Sequence, residues 1–233
     1  MKLWSQDEDI NSLITAHNEW LASNGTIGKQ LMLENVRMCD IDFREVDFRK
    51  ALLKDVIFKN SILDGATFIS GIFCRVEFYK CSIEKADFSK SLFLNTTFKK
   101  CELDSAIFKK LANLSSDIKF AYCKMLNINF ENSTLENIDF HGAVMRKANF
   151  SNTIIENVDF RGADLTDAKF DNSSIYYTNF KSGSGMTTKL NNISWTNAYL
   201  NDTVKFSKIK NAPLIKKDMS PFEIFLLSEK KKL

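Results

Sequence analysis

Apolar side chains recur along most of this chain at every fifth residue. Sixteen consecutive positions in steps of five, from Leu33 to Phe108, are all apolar. An α-helix repeats its apolar face about every 3.6 residues and a β-strand alternates every second residue, so neither element alone produces this period. A fixed period over many copies indicates a repeat protein in which each copy adds one structural unit.

The repeat has a second internal position. The residue two before each apolar centre is mostly small or β-branched, as at Ala51, Val56 and Ala66, and the remaining positions are mostly polar. Each five-residue side is therefore predicted to bury one small and one large side chain and to present three outward positions.

The period is interrupted twice. Beyond Phe108 the centres step by six, to Leu114 and then Phe120, before steps of five resume as far as Phe180. This predicts bulges or a small protruding loop within residues 109–119. After Phe180 a glycine-rich segment intervenes, and a last, degenerate turn is predicted from the centres Leu190, Trp195 and Leu200.

The centres also alternate with a period of ten. Phenylalanine recurs every ten residues from Phe48 to Phe108, and it alternates with aliphatic residues from Phe120 to Phe180. A three-sided coil would stack Phe on Leu, whereas a four-sided coil of twenty residues stacks Phe on Phe along two opposite walls. The thirty-three centres then give about eight coils. Spaced by roughly 4.8 Å, these coils make a rod about 40 Å long.

Three triplets carry a resemblance to a known family. Ala86-Asp87-Phe88, Ala148-Asn149-Phe150 and Ala163-Asp164-Leu165 resemble the Ala-Asp/Asn-Leu/Phe-x-x motif of pentapeptide-repeat proteins, and the resemblance covers about residues 31–200. It implies an all-β solenoid, a right-handed quadrilateral β-helix, that acts as a non-catalytic bacterial scaffold.

Both ends of the repeat are predicted to be capped by helices, since open coils expose unpaired backbone. Residues 1–30 form an N-terminal capping helix and lead-in, which starts at the capping box Ser5 to Glu8 and ends at Asn24-Gly25. Residues 31–200 form the β-helix, and residues 201–233 form a tail with a short helix. Three apolar residues of that tail are predicted either to pack on the last coil or to pair with a second copy: Phe222, Phe225 and Leu226.

Composition limits the other functional classes. The formal charge is +3, and residues 31–180 are nearly neutral, with twenty basic and twenty-one acidic side chains. No apolar stretch approaches the roughly 18 residues of a membrane span, and no Sec-type signal is visible. Five cysteines without metal-type spacing favour a reducing compartment. A cytoplasmic location is expected, with secretion by a non-Sec route left open.

A search for chemistry finds no catalytic, cofactor or metal site. The two histidines, His17 and His141, have no Ser or Cys partner, and the carboxylates recur at outward repeat positions. Cys81, Cys101 and Cys123 are predicted to stack as small buried residues. A second column at twenty-residue spacing predicts a ladder of side-chain amides: Asn132, Asn152 and Asn172, with Asn137 and Asn157 beside it.

One outward column is apolar and is the predicted protein-contact surface, either for a partner or for a homodimer. Coverage by the N-terminal segment is its alternative explanation. We call this surface the apolar stripe, and it comprises Met32, Leu52, Ile72 and Leu92, flanked by Cys74 and Leu94.

A second surface, the acidic wall, comprises Asp64, Glu84, Glu102 and Asp104. Family members that protect DNA gyrase or topoisomerase IV resemble DNA as negatively charged rods, so the resemblance implies DNA mimicry as a second function. The lysines and arginines of other walls weaken it, and no site for nucleic acid itself is evident. Some family members are secreted into host cells, which gives a third function, a secreted effector.

Overall fold

The computed structural model describes residues 2–4, 8–111, 117–182, 187–200 and 203–206. Over these residues the chain forms a parallel β-solenoid of about seven turns with one helix near the N-terminus, close to the predicted eight coils. The elements in chain order are β1 (Lys2–Trp4), α1 (Glu8–Ala22), β2 (Met32–Glu34), β3 (Val36–Cys39), β4 (Leu52–Lys54), β5 (Ile57–Lys59), β6 (Ile72–Cys74), β7 (Glu77–Tyr79), β8 (Leu92–Leu94), β9 (Thr97–Lys99), β10 (Thr134–Glu136), β11 (Ile154–Glu156), β12 (Ser174–Tyr176), β13 (Asn179–Phe180), β14 (Tyr199–Leu200) and β15 (Lys205–Phe206).

The coil has four faces of five residues. Face 1 carries the parallel strands β2, β4, β6 and β8 and, further along, β10, β11, β12 and β14. Face 2 carries β1, β3, β5, β7 and β9 and, further along, β13 and β15. Faces 3 and 4 are columns of single parallel bridges that begin with Asp42↔Ile62 and Asp47↔Thr67. Bridge partners are twenty residues apart in the first coils, which confirms the four-sided coil.

Two opposite faces stack phenylalanine rings through the centre of the rod. On face 4, Phe68 and Phe88 have ring centroids 4.7 Å apart and nearly parallel planes, and on face 2, Phe140 and Phe160 lie 5.1 Å apart. Rings of the two opposite faces meet edge to face across the centre of the rod, as at Phe150 and Phe160. All five of these rings are fully buried. The alternation in the sequence therefore determines which residues stack on which.

The chain turns each corner with a backbone of positive φ. In the described coils from Asn35 to Asn172, the second residue after a centre adopts φ between about 50° and 70°, for example Lys90 at 60° and Asn152 at 56°. Outside glycine this conformation is uncommon, and it is best tolerated by Asn and Asp. Backbone hydrogen bonds to the next coil hold the corner, as between Lys90 N–H and the Lys109 carbonyl at 2.9 Å. This repeated corner explains how a chain with 8 Gly and 2 Pro can turn so often.

Asp and Asn one residue before a centre fasten the chain to itself. The Asp87 carboxylate accepts a hydrogen bond from the Ser89 N–H, and the Asn149 amide oxygen accepts one from the Ser151 N–H. A short polar side chain that reaches its own backbone two residues on is a common turn device. The polar residue in the repeat motif is thus structural.

The insertions lengthen the register between successive coils without changing the number of faces. The bridge Thr97↔Lys119 spans twenty-two residues, and the two extra residues come between the buried Leu111 and Ile118 in the chain. The predicted centre Leu114 lies outside the described residues. Beyond the glycine-rich segment the register widens to twenty-five, and Trp195 still stacks on Phe170 at 4.7 Å.

The N-terminal helix closes the first coil. Its C-terminal end uses Asn24 at φ 52° and a bond from Gly25 N–H to the Trp20 carbonyl at 2.8 Å. Gly28 has φ 76°, and a Cβ there would lie 2.2 Å from the Ala16 carbonyl, so only glycine allows this approach. The N-terminal capping box and the C-terminal residues Phe222, Phe225 and Leu226 lie outside the described residues.

Candidate protein-binding surface

The apolar stripe lies on face 1 in register. Its four main residues are Cα partners on β2, β4, β6 and β8: Met32, Leu52, Ile72 and Leu92. Cys74 pairs with Leu94 two residues further along β6 and β8. Met32 is 62% exposed and Ile72 39% exposed, and the other four residues are half-buried. Further along the same column Thr134 and Ser174 are polar, and Ile154 between them is a single exposed apolar residue. Among the described residues the continuous apolar stripe therefore comprises the first four coils.

The described N-terminal residues do not cover the stripe. Strand β1 pairs with β3 and therefore extends face 2, the neighbouring wall. Helix α1 leaves a cleft of about 120 Å³ between itself and the first coil, lined by Leu13, Ala16, Leu31 and Met32 and by the polar residues Lys29 and Gln30. The stripe therefore continues into a mainly apolar cleft at its N-terminal end.

The two edges of the stripe differ in charge. On the side of face 2, Arg75 pairs with Asp55 through two bonds of 2.6 and 2.7 Å, and Lys54 pairs with Glu34. Those charges neutralise each other across neighbouring coils. On the side of face 4 the corner column contains three exposed lysines, and we call them the lysine edge: Lys50, Lys90 and Lys110.

Within the described residues, no carboxylate lies within ion-pair distance of the lysine edge. Lys50 instead lies over the Trp20 ring at 5.9 Å. The lysine edge was not among the sequence candidates, although the twenty-residue spacing of Lys50, Ser70, Lys90 and Lys110 could have identified it.

The acidic wall lies on face 3, but two of its carboxylates already bond to groups of the next coil. Asp64 accepts hydrogen bonds from the Ser82 hydroxyl at 2.7 Å and from the Glu84 N–H at 2.8 Å. Asp104 accepts a bond from the Leu126 N–H and pairs with Lys124 at 3.0 Å. Of the four residues, Glu102 is the exposed one. The wall is therefore a partly neutralised surface.

One buried carboxylate lies further along face 3 and was not predicted as a site. Asp164 is 6% exposed and receives Arg146 at 2.8 Å and Lys189 at 3.2 Å. Burial raises its pKa, but hydrogen bonds from Thr166 and Arg146 outweigh this and lower the pKa to about 2. These contacts join three successive coils, so the role of Asp164 is structural.

The three stacked cysteines are buried as predicted. The thiols of Cys81, Cys101 and Cys123 donate to the carbonyls of the Phe centres of face 2 at 3.3 to 3.5 Å. Hydrogen bonding between neighbouring thiols, together with burial, raises the pKa of Cys81 and brings that of Cys101 to about 12. A thiol that stays protonated is a poor nucleophile.

The asparagine ladder is present in part. The Asn157 amide donates to Asn137 at 2.6 Å, and the Asn197 amide donates to Asn172 at 3.1 Å. Asn132 and Asn152 occupy equivalent corners with positive φ. The ladder thus follows corners at which asparagine also suits the backbone.

Neither a metal cluster nor a membrane span is found among the residues that the structure describes. No group of three or more His, Cys, Asp or Glu side chains there is arranged to hold a metal ion. No helix in the same residues has the length and apolar character needed to cross a bilayer.

Comparison with known families agrees with this architecture. A model of the pentapeptide repeat region matches residues 31–108, and a model of nine pentapeptide repeats matches residues 130–174. Together they cover more than half of the chain. The chain belongs to the pentapeptide-repeat family.

Several solved structures resemble this pentapeptide-repeat protein. A trypsin-treated variant of QnrB1, a plasmid-mediated fluoroquinolone resistance protein, is 17% identical with a TM-score of 0.37, covering 88% of this chain and 97% of its own. HetL, a pentapeptide-repeat protein involved in heterocyst differentiation regulation from the cyanobacterium Nostoc sp. strain PCC 7120, is 15% identical with a TM-score of 0.27, covering 81% and 88%.

A further similar structure is that of Rfr23 from the cyanobacterium Cyanothece 51142, 13% identical with a TM-score of 0.17, covering 76% of this chain and 88% of its own. No curated protein matches the chain significantly. At these identities and TM-scores the likeness does not indicate what this pentapeptide-repeat protein binds.

Proposed function

We propose that this protein is a non-catalytic bacterial scaffold that binds a protein partner through the apolar stripe on face 1. The observation that carries the proposal is the alignment of Met32, Leu52, Ile72 and Leu92 on four successive coils, with Met32 62% and Ile72 39% exposed. A contiguous apolar patch on an otherwise polar surface marks an interaction site more often than scattered apolar residues do.

The rod supports such a surface rigidly. Each residue of the stripe is flanked in sequence by a fully or nearly fully buried side chain, for example Phe73 beside Ile72 and Phe93 beside Leu92. Backbone pairing on both sides fixes the direction in which the stripe residues point. A preorganised surface loses little conformational entropy on binding, which favours affinity at a given contact area.

The stripe alone supports modest affinity. Full burial of a side chain such as Met, Leu or Ile contributes about 1.5–3 kcal/mol, and these residues are already partly buried. Association itself costs about 4–15 kcal/mol, so contacts at the edges of the stripe must contribute as well.

The chemistry of the described side chains supports a non-catalytic role. The pKa values of the Cys81 and Cys101 thiols are raised, and His17 is fully buried with both ring nitrogens bonded to the backbone. The carboxylates at outward positions largely bond to the backbone or to neighbouring cations.

The test is partner capture from the native host by the wild type and by a double variant, Leu52→Asp with Leu92→Asp. The matched control is Ile154→Asp, since Ile154 lies in the same column of face 1 and is 40% exposed. We expect the double variant to lose the captured partner while the control retains it, with unchanged circular dichroism in both. Normal capture by the folded double variant would contradict the proposal.

DNA mimicry through the acidic wall is the second candidate, supported by the exposed Glu102 and by the half-buried Glu84. Asp64 and Asp104 already bond to groups of the next coil, so fewer free carboxylates support DNA mimicry than apolar residues support the stripe. A supercoiling assay with gyrase and a quinolone tests it. Unchanged inhibition across a tenfold excess of the protein would remove this candidate.

A further inference from the structure

We infer that the apolar stripe, together with the cleft at its N-terminal end, binds an amphipathic α-helix of the partner. The helix lies parallel to the rod axis and carries acidic residues on the side that faces Lys50, Lys90 and Lys110. This inference rests on the proposed function and specifies the kind of partner. It follows from the backbone pairing, the spacing of the coils, the cleft and the charges at the edges.

The backbone of face 1 excludes strand addition. The strands β2, β4, β6 and β8 pair in register with one another, so their N–H and C=O groups point along the rod axis toward the next coil. Strand addition requires an unpaired sheet edge, and the side of a solenoid has none. Polyproline segments bind grooves lined by aromatic rings, and the stripe is made of Met, Leu, Ile and Cys.

The spacing of the coils matches a helix. Stripe residues recur every roughly 4.8 Å along the rod, which is the distance between paired strands. Apolar residues at i, i+3, i+7 and i+10 of an α-helix recur about every 5 Å along its axis, because each residue rises 1.5 Å. Over four coils the two spacings differ by only about 1 Å in total. A helix of about 14 residues would then contact all four stripe residues and reach the cleft.

The cleft can receive one side chain of that helix. It lies beside Met32, between helix α1 and the first coil, and has a volume of about 120 Å³. An apolar cavity of about 150 Å³ is large enough for benzene, so a Leu or Phe side chain at the end of the helix fits this space in part. Met32 borders the cleft, and its flexible side chain can adapt to the occupant.

The charges at the edges orient the helix. Asp55–Arg75 and Glu34–Lys54 are closed ion pairs on one side and offer no net charge. The lysine edge on the other side offers three cations without a carboxylate partner among the described residues. Acidic residues on that flank of the helix therefore gain attraction, and basic residues there are repelled.

The same charges argue against the chain's own tail as the occupant. Residues 207–233 contain seven lysines and three acidic residues, so their charge matches that of the lysine edge. A second copy of the rod is disfavoured by area. Four strands of three residues present a patch of roughly 200 Å², well below the roughly 800 Å² per partner of a stable interface.

The test uses three synthetic 14-residue helical peptides with a fluorescent label, measured by anisotropy against the full chain. The first has Leu at i, i+3, i+7 and i+10 and Glu along one flank. The second has the same composition with the Leu positions scrambled, and the third has Lys in place of Glu. We expect the first peptide to bind at least tenfold more tightly than either of the others. Equal binding of the scrambled peptide, or no binding of the first peptide, would overturn the inference.

A pair of single variants and one double variant locate the site. Ile72→Glu should weaken binding of the first peptide at least tenfold, whereas Ile154→Glu, which lies outside the stripe, should leave it unchanged. The two residues form a matched pair, because they are 39% and 40% exposed in the same column. Lys90→Glu with Lys110→Glu should reverse the preference from the Glu peptide to the Lys peptide. Retained preference for the Glu peptide would show that the lysine edge does not orient the helix and would contradict that part of the inference.

The outcomes separate this inference from the proposed function. If Leu52→Asp with Leu92→Asp abolishes partner capture but crosslinks from the stripe map to a loop or extended segment of the partner, the function stands and the helix is wrong. A peptide of residues 207–233 that displaces the first peptide would identify the tail as the occupant instead. Dimerisation that Ile72→Glu abolishes would identify a second copy.

Discussion

The Nε2 atom of His17 lies 3.0 Å from the carbonyl oxygen of Arg49, and the N–H of Leu31 lies 3.0 Å from the Nδ1 atom of the same ring. The ring is therefore neutral, with the proton on Nε2 and the lone pair on Nδ1. It stacks on Trp20 at 5.8 Å and is completely buried. One side chain thus joins the capping helix to the first coil through two backbone groups.

We predict that the attachment of α1 to the first coil through His17 weakens as the pH falls. Burial lowers the pKa of His17 below its ordinary value of 6.5, so the unfolded state binds the proton more readily than the folded state. The contribution of His17 to stability is complete above pH 6.5 and decreases as the pH falls below it. Hydrogen exchange of the amides of α1 and of Leu31 at pH 7.5 and pH 5 measures this.

A variant of His17 makes that prediction specific. His17→Gln should cost about 1–3 kcal/mol at pH 7.5, because buried polar backbone groups lose their partner. Its cost should shrink at lower pH, because the wild type loses the contribution of His17 there. An unchanged pH dependence in His17→Gln would show that another group is responsible.

The phenylalanine columns predict where truncation is most harmful. Phe140→Ala removes a fully buried ring that stacks on both Phe120 and Phe160, and it should lower the free energy of unfolding by about 3–5 kcal/mol. Ile154→Ala, on the surface of the same region, should change it by less than about 1 kcal/mol. Urea denaturation with a common m-value compares them, and equal losses would contradict the stacked core.

The corner conformation predicts an unusual effect of valine. Lys100 has φ 57°, so Lys100→Val should destabilise the protein by about 1–2 kcal/mol, whereas Lys100→Asn should be neutral or slightly stabilising. The control is Lys99→Val, because Lys99 is also exposed but ends strand β9, where β-branched residues are favoured. Urea midpoints distinguish the variants. Equal effects of valine at the two positions would contradict the positive-φ conformation of Lys100.

The reactivity of the cysteines tests whether the column of Cys81, Cys101 and Cys123 points into the rod. Cys81, Cys101 and Cys123 are buried and Cys39 and Cys74 are half-buried on outward positions, so at most two of five thiols should react rapidly with a disulfide reagent at pH 8. All five should react in guanidinium. A Cys39→Ser, Cys74→Ser double variant should lose the fast phase, and rapid reaction of three or more native thiols would contradict the assignment.

The five-residue period was sufficient to predict the inward positions. The centres and the residues two before them can bury side chains only if each side has the same length, so Phe48 and Ala51 could be assigned to the core without coordinates. The column at Met32 and Leu52 followed from the twenty-residue coil in the same way. The position of the extra residues near 109–119 could not be fixed, because a period alone cannot decide which side of a coil widens.

The charges at the candidate site required the tertiary structure. Sequence spacing grouped Asp64, Glu84 and Asp104 as an acidic wall, but it could not show that Asp64 bonds to the next coil while Lys124 neutralises Asp104. It likewise could not show that Arg75 closes on Asp55 and that Lys90 stays outside any such pair among the described residues. Such pairings depend on side-chain reach across two coils.

The sequence by itself determined the coil, its four faces and the residues that fill it, because burial repeats with the same period as the backbone. The tertiary structure decided which outward groups are already satisfied and which are left for a partner, because that depends on distances of a few ångströms between residues about twenty apart. The apolar stripe and the spacing of the lysine edge were therefore present in the sequence pattern. The cleft under α1, and the fact that the lysine edge has no carboxylate partner among the described residues, required the folded rod.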